Sequence, residues 1–449
     1  MNKTACAFAA SIGLAATAAA LADCTAGTMP VQLQVPDWSA SSPVGSSTLS
    51  TDDQSIVTVH RTTGGNAILF FREGTSGWAL DRQVHLAAVD GPVSVNGANF
   101  AIGGPGTLRM YHRSAATGDW NLAEFDNPGS LLGNVQSVAV GPTDVAVVWF
   151  SATAGLHASV RPLQPNGTLG GVSLIEDPEP GAGYFDGFGY AMAIDGDLLA
   201  VGAFGDSQAG PYVGAVYIYQ RFDTDWVMVQ KIMPEGASAT PGFGTSVSMN
   251  GGRLAVGSVH TGRVGLDPSP VSFANGFVNV YDWTGTSFVL RAHLSHPTLP
   301  SSTPAGFGQS VAVRGNRLLV GAFQDSYSGV SSGAAYVYDF DGAAWNSSGA
   351  IALQSSSGAW FGSAVGLTAT AAVAVAPFHN EGRLAAAVFD SCSLPSAGSS
   401  TPACLPGIGG LMTYLLRWFQ LDAWADFDQS GTITTQDLMS YLSAWLSGC

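Results

Sequence analysis

Basic residues are scarce in this sequence. Its 449 residues include 16 Lys and Arg against 32 Asp and Glu, a formal net charge of −16, and its only lysines are Lys3 and Lys231. Nucleic acids and anionic membranes attract clustered basic side chains and repel an acidic surface. We therefore exclude nucleic acid and anionic lipid as main partners.

The sequence also lacks the familiar catalytic motifs. It has no Gly-x-Ser-x-Gly elbow, no phosphate-binding loop, no His-Glu-x-x-His and no dinucleotide-binding glycine pattern. The eight histidines are scattered, and His293 and His296 have no acid beside them. We interpret these two as a strand end and a solvated loop rather than as metal ligands. We predict no catalytic residue and no organic cofactor.

The apolar run at the N-terminus is short. Residues 1–22 combine a positive start at Lys3, an alanine-rich apolar stretch and the small-residue end Ala20-Leu21-Ala22. This pattern predicts a secretory signal peptide cleaved after Ala22 rather than a membrane span. Cleavage would remove Lys3 and no acid, so the mature chain would carry 15 − 32 = −17. We expect a secreted or cell-surface protein with no transmembrane segment after cleavage.

Glycine, by contrast, is abundant, with 57 residues, and a unit of strands and turns repeats along the chain. Its clearest copy opens with Phe307-Gly308 and an alternating strand, and Gly315-Asn316 suits a tight hairpin turn. An apolar second strand at residues 318–322 follows, then a third strand ending at Tyr338 and, seven residues later, Trp345. Because the aromatic residues recur at the same places, we interpret them as packing between sheets rather than as a sugar-binding set.

Seven copies of this unit can be aligned. Four strong copies open with a Phe-Gly pair and three weaker copies precede them, with a repeat length of roughly 45 to 64 residues. Four-stranded units of this size are typical of propeller blades. We predict an all-β, seven-bladed β-propeller over residues 23–391. The strong copies start at Phe188, Phe243, Phe307 and Phe361, and the weaker ones at Val44, Val93 and Val138.

The last copy has only three strands before Cys392. Residues 30–35 alternate and stand alone before the first copy, so we predict that they complete the last blade and close the ring. Four cysteines remain after residue 22. In an oxidising compartment they predict two disulfides, for which three pairings of the four cysteines are possible. We favour a Cys24–Cys392 disulfide, which would stand where other blades have a hairpin loop, and a second one between Cys404 and Cys449.

The repeat resembles the FG-GAP repeat. The pattern Phe-Gly-x-Ser-Val-x-Val, turn, Leu-Leu-Val-Gly-Ala, loop, Gly-Ala-x-Tyr-Val-Tyr is similar to that family, which builds the head of integrin α subunits and many exported bacterial proteins. The resemblance implies a role in protein contact. Calcium-binding blades of the family carry an Asp-x-Asp-x-Asp-Gly loop between the first two strands. Here that place holds short turns with too few oxygens, such as Arg314-Gly315-Asn316, so we predict no calcium in the propeller.

Long loops join the second and third strands of the fourth to sixth copies. In a four-stranded blade these loops share a face with the loops between blades, and long loops on a rigid scaffold often form binding surfaces. We predict that this face binds an extracellular protein or glycan. The candidate contacts are Asp206, Tyr212, Asp267, Phe273, Asp325 and Tyr327, of which the aspartates at 206 and 325 also suit a turn-forming role.

The C-terminal part has a different pattern. Residues 392–406 are rich in Ser, Pro and Gly and are predicted to be a linker, and residues 407–449 contain two amphipathic helical segments, 411–419 and 438–446. Residues 426–437, between them, have the spacing of an EF-hand loop, which predicts one weak Ca²⁺ site. Its predicted ligands are Asp426, Asp428, Ser430, Thr432 through its carbonyl, Thr434 through water, and Asp437.

This module is similar to the dockerin-type tails of exported bacterial proteins, including a class that ends in Gly-Cys, as Gly448-Cys449 does here. Dockerins usually carry two loops, and the first is reduced here to residues 406–410. A cohesin-like partner is one candidate that the resemblance implies, and the missing loop argues against it.

Together these features favour an exported, non-enzymatic binding or adhesion protein with a propeller head and a calcium-stabilised C-terminal module. One alternative is a polysaccharide-active extracellular enzyme, because dockerin-like tails often accompany such enzymes. That enzyme would need a pair of acids at the mouth of the propeller. Another alternative is a structural cell-surface component, with the tail as its attachment element.

Overall fold

A computed structural model describes most of the propeller and one C-terminal helix. The described residues are 31–34, 48–62, 65–74, 77–86, 91–126, 134–151, 155–178, 186–210, 212–234, 242–259, 276–297, 305–353, 357–379, 384–390 and 434–446. They contain seven four-stranded antiparallel sheets, which confirms the predicted all-β, seven-bladed propeller.

The first three blades follow one another along the chain, each with its strands in sequence order. Blade 1 contains β2 (Thr48–Thr51), β3 (Ser55–Thr62), β4 (Gly65–Gly74) and β5 (Gly77–Leu86). Blade 2 contains β6 (Val93–Asn96), β7 (Asn99–Gly104), β8 (Thr107–Arg113) and β9 (Trp120–Asp126). Blade 3 contains β10 (Asn134–Val140), β11 (Asp144–Ser151), β12 (Gly155–Pro162) and β13 (Ser173–Ile175).

The next three blades contain the strong repeats and keep the same order. Blade 4 contains β14 (Phe188–Asp195), β15 (Leu198–Ala203), β16 (Ala215–Phe222) and β17 (Asp225–Ile232). Blade 5 contains β18 (Phe243–Asn250), β19 (Arg253–Ser258), β20 (Phe277–Trp283) and β21 (Phe288–Ser295). Blade 6 contains β22 (Phe307–Arg314), β23 (Arg317–Ala322), β24 (Ala334–Phe340) and β25 (Trp345–Ile351).

Blade 7 joins the two ends of the propeller sequence. It contains β26 (Val365–Leu367), β27 (Ala371–Ala374) and β28 (Leu384–Asp390), and its outermost strand is β1 (Val31–Gln34). The pairing of β1 with β28 is antiparallel, with Val31 opposite Val388 and Leu33 opposite Ala386. This confirms that the isolated N-terminal segment closes the ring.

The Phe-Gly pairs join adjacent blades. Each phenylalanine is buried, and the glycine after it has a positive φ, +90° at Gly308. A Cβ on Gly308 would lie 2.7 Å from the carbonyl oxygen of Phe277 in the preceding blade, so the position needs glycine. The Ser246 hydroxyl of blade 5 donates a hydrogen bond of 2.8 Å to the carbonyl oxygen of Gly308. The repeated motif therefore holds one blade against the next.

The recurring aromatic residues pack between blades, as predicted. Trp120 of blade 2 stacks on Phe70 of blade 1, with ring centroids 5.2 Å apart. Trp345 of blade 6 is buried beside Phe340, and the guanidinium carbon of Arg253, from blade 5, lies 5.0 Å from its ring centroid. Apolar side chains of adjacent blades form the rest of the core.

One helix is described in the C-terminal part, α1 (Thr435–Leu446), and it contains the second predicted helical segment. The signal peptide, the linker, the first predicted helical segment and all four cysteines lie outside the described residues. Within the described part of the chain, no helix is long and apolar enough to cross a membrane.

Candidate functional site

Two opposite faces of the propeller carry different connections. We call the first the loop face, formed by the loops between second and third strands and those leading into the next blade. Two loops between second and third strands end at Gly214 and Gly333. Gly214 forms a parallel bridge with Phe243 and Gly333 with Phe361, and each phenylalanine begins the repeat of the following blade. These bridges confirm that both kinds of loop share one face. We call the other the hairpin face, formed by the turns between first and second strands.

Two predicted contacts on the loop face, Asp206 and Asp325, are buried and hydrogen-bonded to other side chains. Asp206 is 3% exposed, and its Oδ2 accepts a 2.6 Å hydrogen bond from the Tyr217 hydroxyl and lies 2.8 Å from Lys231 Nζ. Asp325 is 5% exposed and accepts a hydrogen bond from the Tyr336 hydroxyl. Both acids therefore hold the loops from inside and are not positioned as surface contacts.

The charge of Asp206 is stabilised by its partners. Burial alone would raise the pKa of this carboxyl, but the hydrogen bonds from Lys231 and Tyr217 outweigh it and hold the pKa below its usual value. The backbone N–H of Gln208 adds a third hydrogen bond of 3.0 Å. Lys231, the second of only two lysines in the sequence, is thus part of a buried ion pair.

The histidine at 296 contradicts the predicted solvated loop. His296 is 4% exposed, and its Nε2 lies 2.9 Å from Asp325 Oδ2. Its ring contacts Tyr336 edge-on, with centroids 4.7 Å apart. The prediction was wrong because the acid that pairs with His296 lies 29 residues away in sequence and in the next blade. A search for acids near the histidine in sequence could not find it.

The two predicted tyrosines occupy less buried places. Tyr212 has a left-handed backbone, with φ of +55°, and its carbonyl oxygen accepts a 2.8 Å hydrogen bond from Gly242 in the next blade. Tyr327 is half-buried against the core between blades 5 and 6. The other two predicted contacts, Asp267 and Phe273, lie outside the described residues. The structure thus brings Asp325 and Tyr327 together in one loop and places Asp206 and Tyr212 together in another.

Three exposed aromatic side chains on the loop face, Tyr190, Trp360 and Phe378, were not among the predicted contacts. Tyr190 lies edge-on to Phe204 in blade 4, with centroids 4.7 Å apart. A larger group joins blades 6 and 7, where Trp360 contacts both Phe323 and Phe378. The sequence contained a signal for Trp360, because the three other strong copies have glycine immediately before the Phe-Gly pair.

Acidic side chains also meet on the loop face beside blade 4. The Asp186 carboxyl accepts a 2.9 Å hydrogen bond from the Phe188 backbone and interacts with Asp177. Burial, with a smaller contribution from the neighbouring Asp177 and Asp206 charges, raises the pKa of Asp186 to about 6. A carboxyl whose pKa is raised this far is a candidate for a functional site.

The central channel is a second candidate site. It is a cavity of about 1190 Å³ lined by the first strands of all seven blades, and its lining continues to the hairpin-face residues Asp195 and Asn250. Near this end an ion pair joins Arg314 of blade 6 to Asp53 of blade 1. Burial raises the pKa of Asp52, the neighbour of Asp53. The channel is therefore polar and carries charges of both signs.

The predicted calcium ligands are mostly outside the described residues. Thr434 is exposed just before α1, and its hydroxyl oxygen accepts a 3.2 Å hydrogen bond from the Gln436 backbone. Asp437 lies in the first turn of α1, and Asp426, Asp428, Ser430 and Thr432 are not described. Among the residues that are described, no group of three or more His, Cys, Asp or Glu could hold a metal ion.

Comparison with known families supports the repeats of the propeller. The family model of the FG-GAP repeat matches residues 181–219 and 302–338. These ranges begin just before blades 4 and 6 and extend into their third strands. No curated protein matches the chain significantly.

Several solved structures are similar to the chain at low identity. The WD40 domain of Toxoplasma gondii coronin shows 10% identity and a TM-score of 0.42 over 68% of this chain and 70% of that one. Kluyveromyces lactis Hsv2 shows 11% identity and a TM-score of 0.45 over 75% and 90% of the respective chains. The β-propeller domain of the Trilobed protease from Pyrococcus furiosus shows 13% identity and a TM-score of 0.42 over 73% and 89%. At these values the similarities carry no inference about function.

Proposed function

We propose that this chain is an exported, non-enzymatic binding protein whose loop face contacts an extracellular protein or glycan. The observation that carries the proposal is the distribution of side chains on that face. Two of its acids, Asp206 and Asp325, are buried and hydrogen-bonded, whereas aromatic side chains such as Tyr190, Trp360 and Phe378 are exposed. Exposed aromatic groups on rigid loops are typical of interaction surfaces.

The FG-GAP matches support the same proposal, because the family resemblance implies a platform for contact with other molecules. Since a fold does not fix a function, the proposal depends on the loop face and not on the propeller alone. An export signal at residues 1–22 and a cell-surface or secreted location are parts of this proposal.

Exchange of the loop tips tests the proposal. Residues 207–212 and 326–331 would be replaced by Gly-Ser turns, while Asp206 and Asp325 are retained because they hold the loops from inside. We expect the variant to keep its thermal midpoint and to lose binding to extracellular extracts immobilised as protein and glycan arrays. An exchange of Gly315-Asn316 for Asn-Gly on the hairpin face is the matched control. Unchanged binding both by the loop variant and by variants that lack the exposed aromatic side chains Tyr190, Trp360 and Phe378 refutes the proposal.

We further propose that the C-terminal module binds one calcium ion. Three carboxylates, one hydroxyl and one carbonyl in EF-hand spacing are the donors that calcium prefers, and three charges in a single loop favour a weak site of about 10⁻⁴–10⁻³ M. Calorimetry on the full chain with millimolar calcium is expected to show binding that Asp426→Ala with Asp428→Ala removes. Equal heats for both proteins contradict this proposal.

A second candidate function, a polysaccharide-active enzyme, is favoured by one observation, the raised pKa of Asp186 beside Asp177. However, the two carboxyls interact through a hydrogen bond, which places them closer than the ~5 Å or more that glycosidase pairs need. We therefore rank binding first. Release of reducing sugars from plant or bacterial polysaccharides, abolished by Asp186→Asn, would reverse this ranking.

A further inference from the structure

Blade 7 differs from the other strong repeats at the residue before its Phe-Gly pair. In blades 4, 5 and 6 this residue is glycine with a left-handed backbone, and in blade 7 it is Trp360, with φ of +58°. A left-handed backbone is unfavourable for a bulky side chain, and such strained residues cluster at functional sites. The backbone is held from both sides, because Trp360 donates to Ser331 O at 3.4 Å and accepts from Ser363 N at 3.2 Å. The corresponding glycines are Gly187, Gly242 and Gly306.

In two of the three other strong blades, blades 4 and 6, an aromatic ring covers this position, and the Trp360 indole takes its place in blade 7. In blade 6, a Cβ on Gly306 would meet the ring of Phe323 at 2.5 Å, and Phe204 covers Gly187 in the same way in blade 4. The residue that corresponds to Phe323 in blade 7 is Pro377, which offers no aromatic ring. At this position of blade 7, the aromatic ring is therefore the side chain of Trp360 itself.

Trp360 belongs to an exposed aromatic patch, which we define as Phe323, Trp360 and Phe378. The indole is 37% exposed and Phe378 is 41% exposed. Both phenyl rings meet the indole edge-to-face, with centroids 5.5 Å away for Phe323 and 4.8 Å for Phe378. Neither ring lies parallel to the indole. The patch thus offers aromatic surface to a ligand without any rearrangement of the fold.

The described residues before and after the patch carry no exposed charged side chain and several hydroxyl groups. In residues 323–333 and 357–379, the only carboxylate is Asp325, which is buried against Tyr336 and His296. The only histidine there is His379, and burial lowers its pKa, so it is neutral near pH 7. The serines of these two stretches that are exposed or half-buried are Ser326, Ser328, Ser331, Ser357 and Ser363.

This chemistry selects among the ligands that an aromatic patch can bind. Within residues 323–333 and 357–379, a basic peptide would find no exposed carboxylate and an acidic one would find no cation. A neutral sugar ring has a face of C–H groups that packs on an aromatic ring, and hydroxyl groups at its edge that hydrogen-bond to serine side chains. We propose that the aromatic patch binds a sugar ring of a neutral polysaccharide. The inference rests on the proposed binding function and specifies its ligand.

Replacement of the tryptophan by the glycine of the other blades is the sharpest test. Trp360→Gly removes the indole and at the same time allows the left-handed backbone, so we expect an unchanged or higher thermal midpoint. Calorimetry of the full chain would use cello-, manno-, xylo- and laminari-oligosaccharides, with polygalacturonate as the charged comparison. We expect binding of at least one neutral oligosaccharide, weakened at least tenfold in Trp360→Gly and independently in Phe378→Ser. Leu174→Ser, which removes an exposed apolar side chain from the outermost strand of blade 3, is the matched control and should bind as the parent does.

Three results overturn the inference: equal binding by Trp360→Gly and the parent, no binding of any neutral oligosaccharide at millimolar concentration, or preference for polygalacturonate. The variant with residues 207–212 and 326–331 exchanged distinguishes failure of this inference from failure of the proposed binding function. If that variant loses an extracellular ligand that Trp360→Gly retains, the binding function stands and the aromatic patch is not its site. If neither variant changes binding, both are refuted.

Discussion

At the scale of single residues, the pair formed by Lys231 and Asp206 shows how this acidic chain uses its few cations. The ammonium group lies 2.8 Å from a carboxylate that is almost completely buried and also lies 5.1 Å from the ring centroid of Tyr217. Most surface ion pairs contribute little, because water screens both charges. A buried carboxylate that loses its cation is a different case, since its charge cannot be hydrated.

We predict that Lys231→Met destabilises the protein by about 3 kcal/mol, because it leaves Asp206 buried without its cation. The free energy of unfolding in urea gives the measurement. The double variant Asp206→Asn, Lys231→Met should recover part of the loss, since asparagine carries no charge. Arg291→Met is the control, because Arg291 is 58% exposed in its ion pair with Asp282 and should cost less than about 1 kcal/mol. Equal losses in Lys231→Met and Arg291→Met contradict the prediction.

The raised pKa of Asp186 predicts a pH dependence with a definite sign. Its pKa rises from 3.8 to about 6 in the folded protein, so between these values the folded state binds more protons than the unfolded state. This contribution to stability is complete below the unfolded pKa and is lost as the pH rises towards the folded pKa. Because the carboxyl is partly exposed, we expect the loss to be about 1 kcal/mol rather than the full linkage value.

The variant Asp186→Asn should remove this loss while keeping an oxygen that accepts the hydrogen bond from the Phe188 backbone. Urea unfolding of both proteins from about pH 4 to about pH 7 gives the measurement. The stability of the variant relative to the parent should rise across this interval. A constant difference between the two curves would show that Asp186 does not titrate there.

At the scale of strands and turns, two glycines with positive φ make a matched comparison. Gly308 lies at the start of β22, where a Cβ would approach the Phe277 carbonyl oxygen to 2.7 Å, whereas nothing lies within 4 Å of a Cβ on the hairpin residue Gly315. We expect Gly308→Ala to cost about 3 kcal/mol and Gly315→Ala about 1 kcal/mol, because only the first combines steric overlap with backbone strain. Thermal and urea unfolding would measure both, and equal costs would show that the contact between blades relaxes freely.

The strands were predictable from the sequence because their signals are local. The alternation of β22 and the apolar run of β23 recur in the other strong copies. The position of β1 was predictable because only the last blade lacked a fourth strand. The tight hairpin turn predicted at Gly315-Asn316 is present, and of its two residues Gly315 has a positive φ and Asn316 does not. One such residue is enough for a two-residue hairpin of the type with glycine at its first position.

The candidate site was less predictable because its contacts are not local. In the sequence, Asp206 and Asp325 look like turn residues after an apolar strand. In the structure, Asp206 pairs with Lys231 from the outer strand of its blade, and Asp325 pairs with His296 from the preceding blade. Trp360 was not predicted because it stands one residue before the Phe-Gly pair that begins the repeat pattern. A comparison that included the preceding residue shows one tryptophan against three glycines.

At the scale of the whole molecule, the ring depends on a strand from the opposite end of the propeller sequence. β1 supplies the outermost strand of blade 7, and Leu33 lies in the core that blade 7 shares with blade 1. With β1 in place, the outer edge of blade 7 is a strand of four residues, whereas without it the edge would be β28, an apolar strand of seven residues. Short edge strands resist pairing with other chains, and long apolar edges favour it. Closure therefore protects the molecule from self-association as well as stabilising it.

We predict that deletion of residues 30–35 lowers the thermal midpoint and produces dimers and larger species through the free edge of β28. Size-exclusion chromatography with light scattering gives the measurement, and a synthetic peptide of residues 30–35 should restore the monomer by adding the missing strand. The control replaces Ser173–Ile175, the outermost strand of blade 3, with Gly-Ser-Gly. This change also exposes an outer edge, but it leaves the ring closed, so its loss of stability should be smaller. A monomeric deletion variant with the parent's thermal midpoint would show that the ring holds without β1.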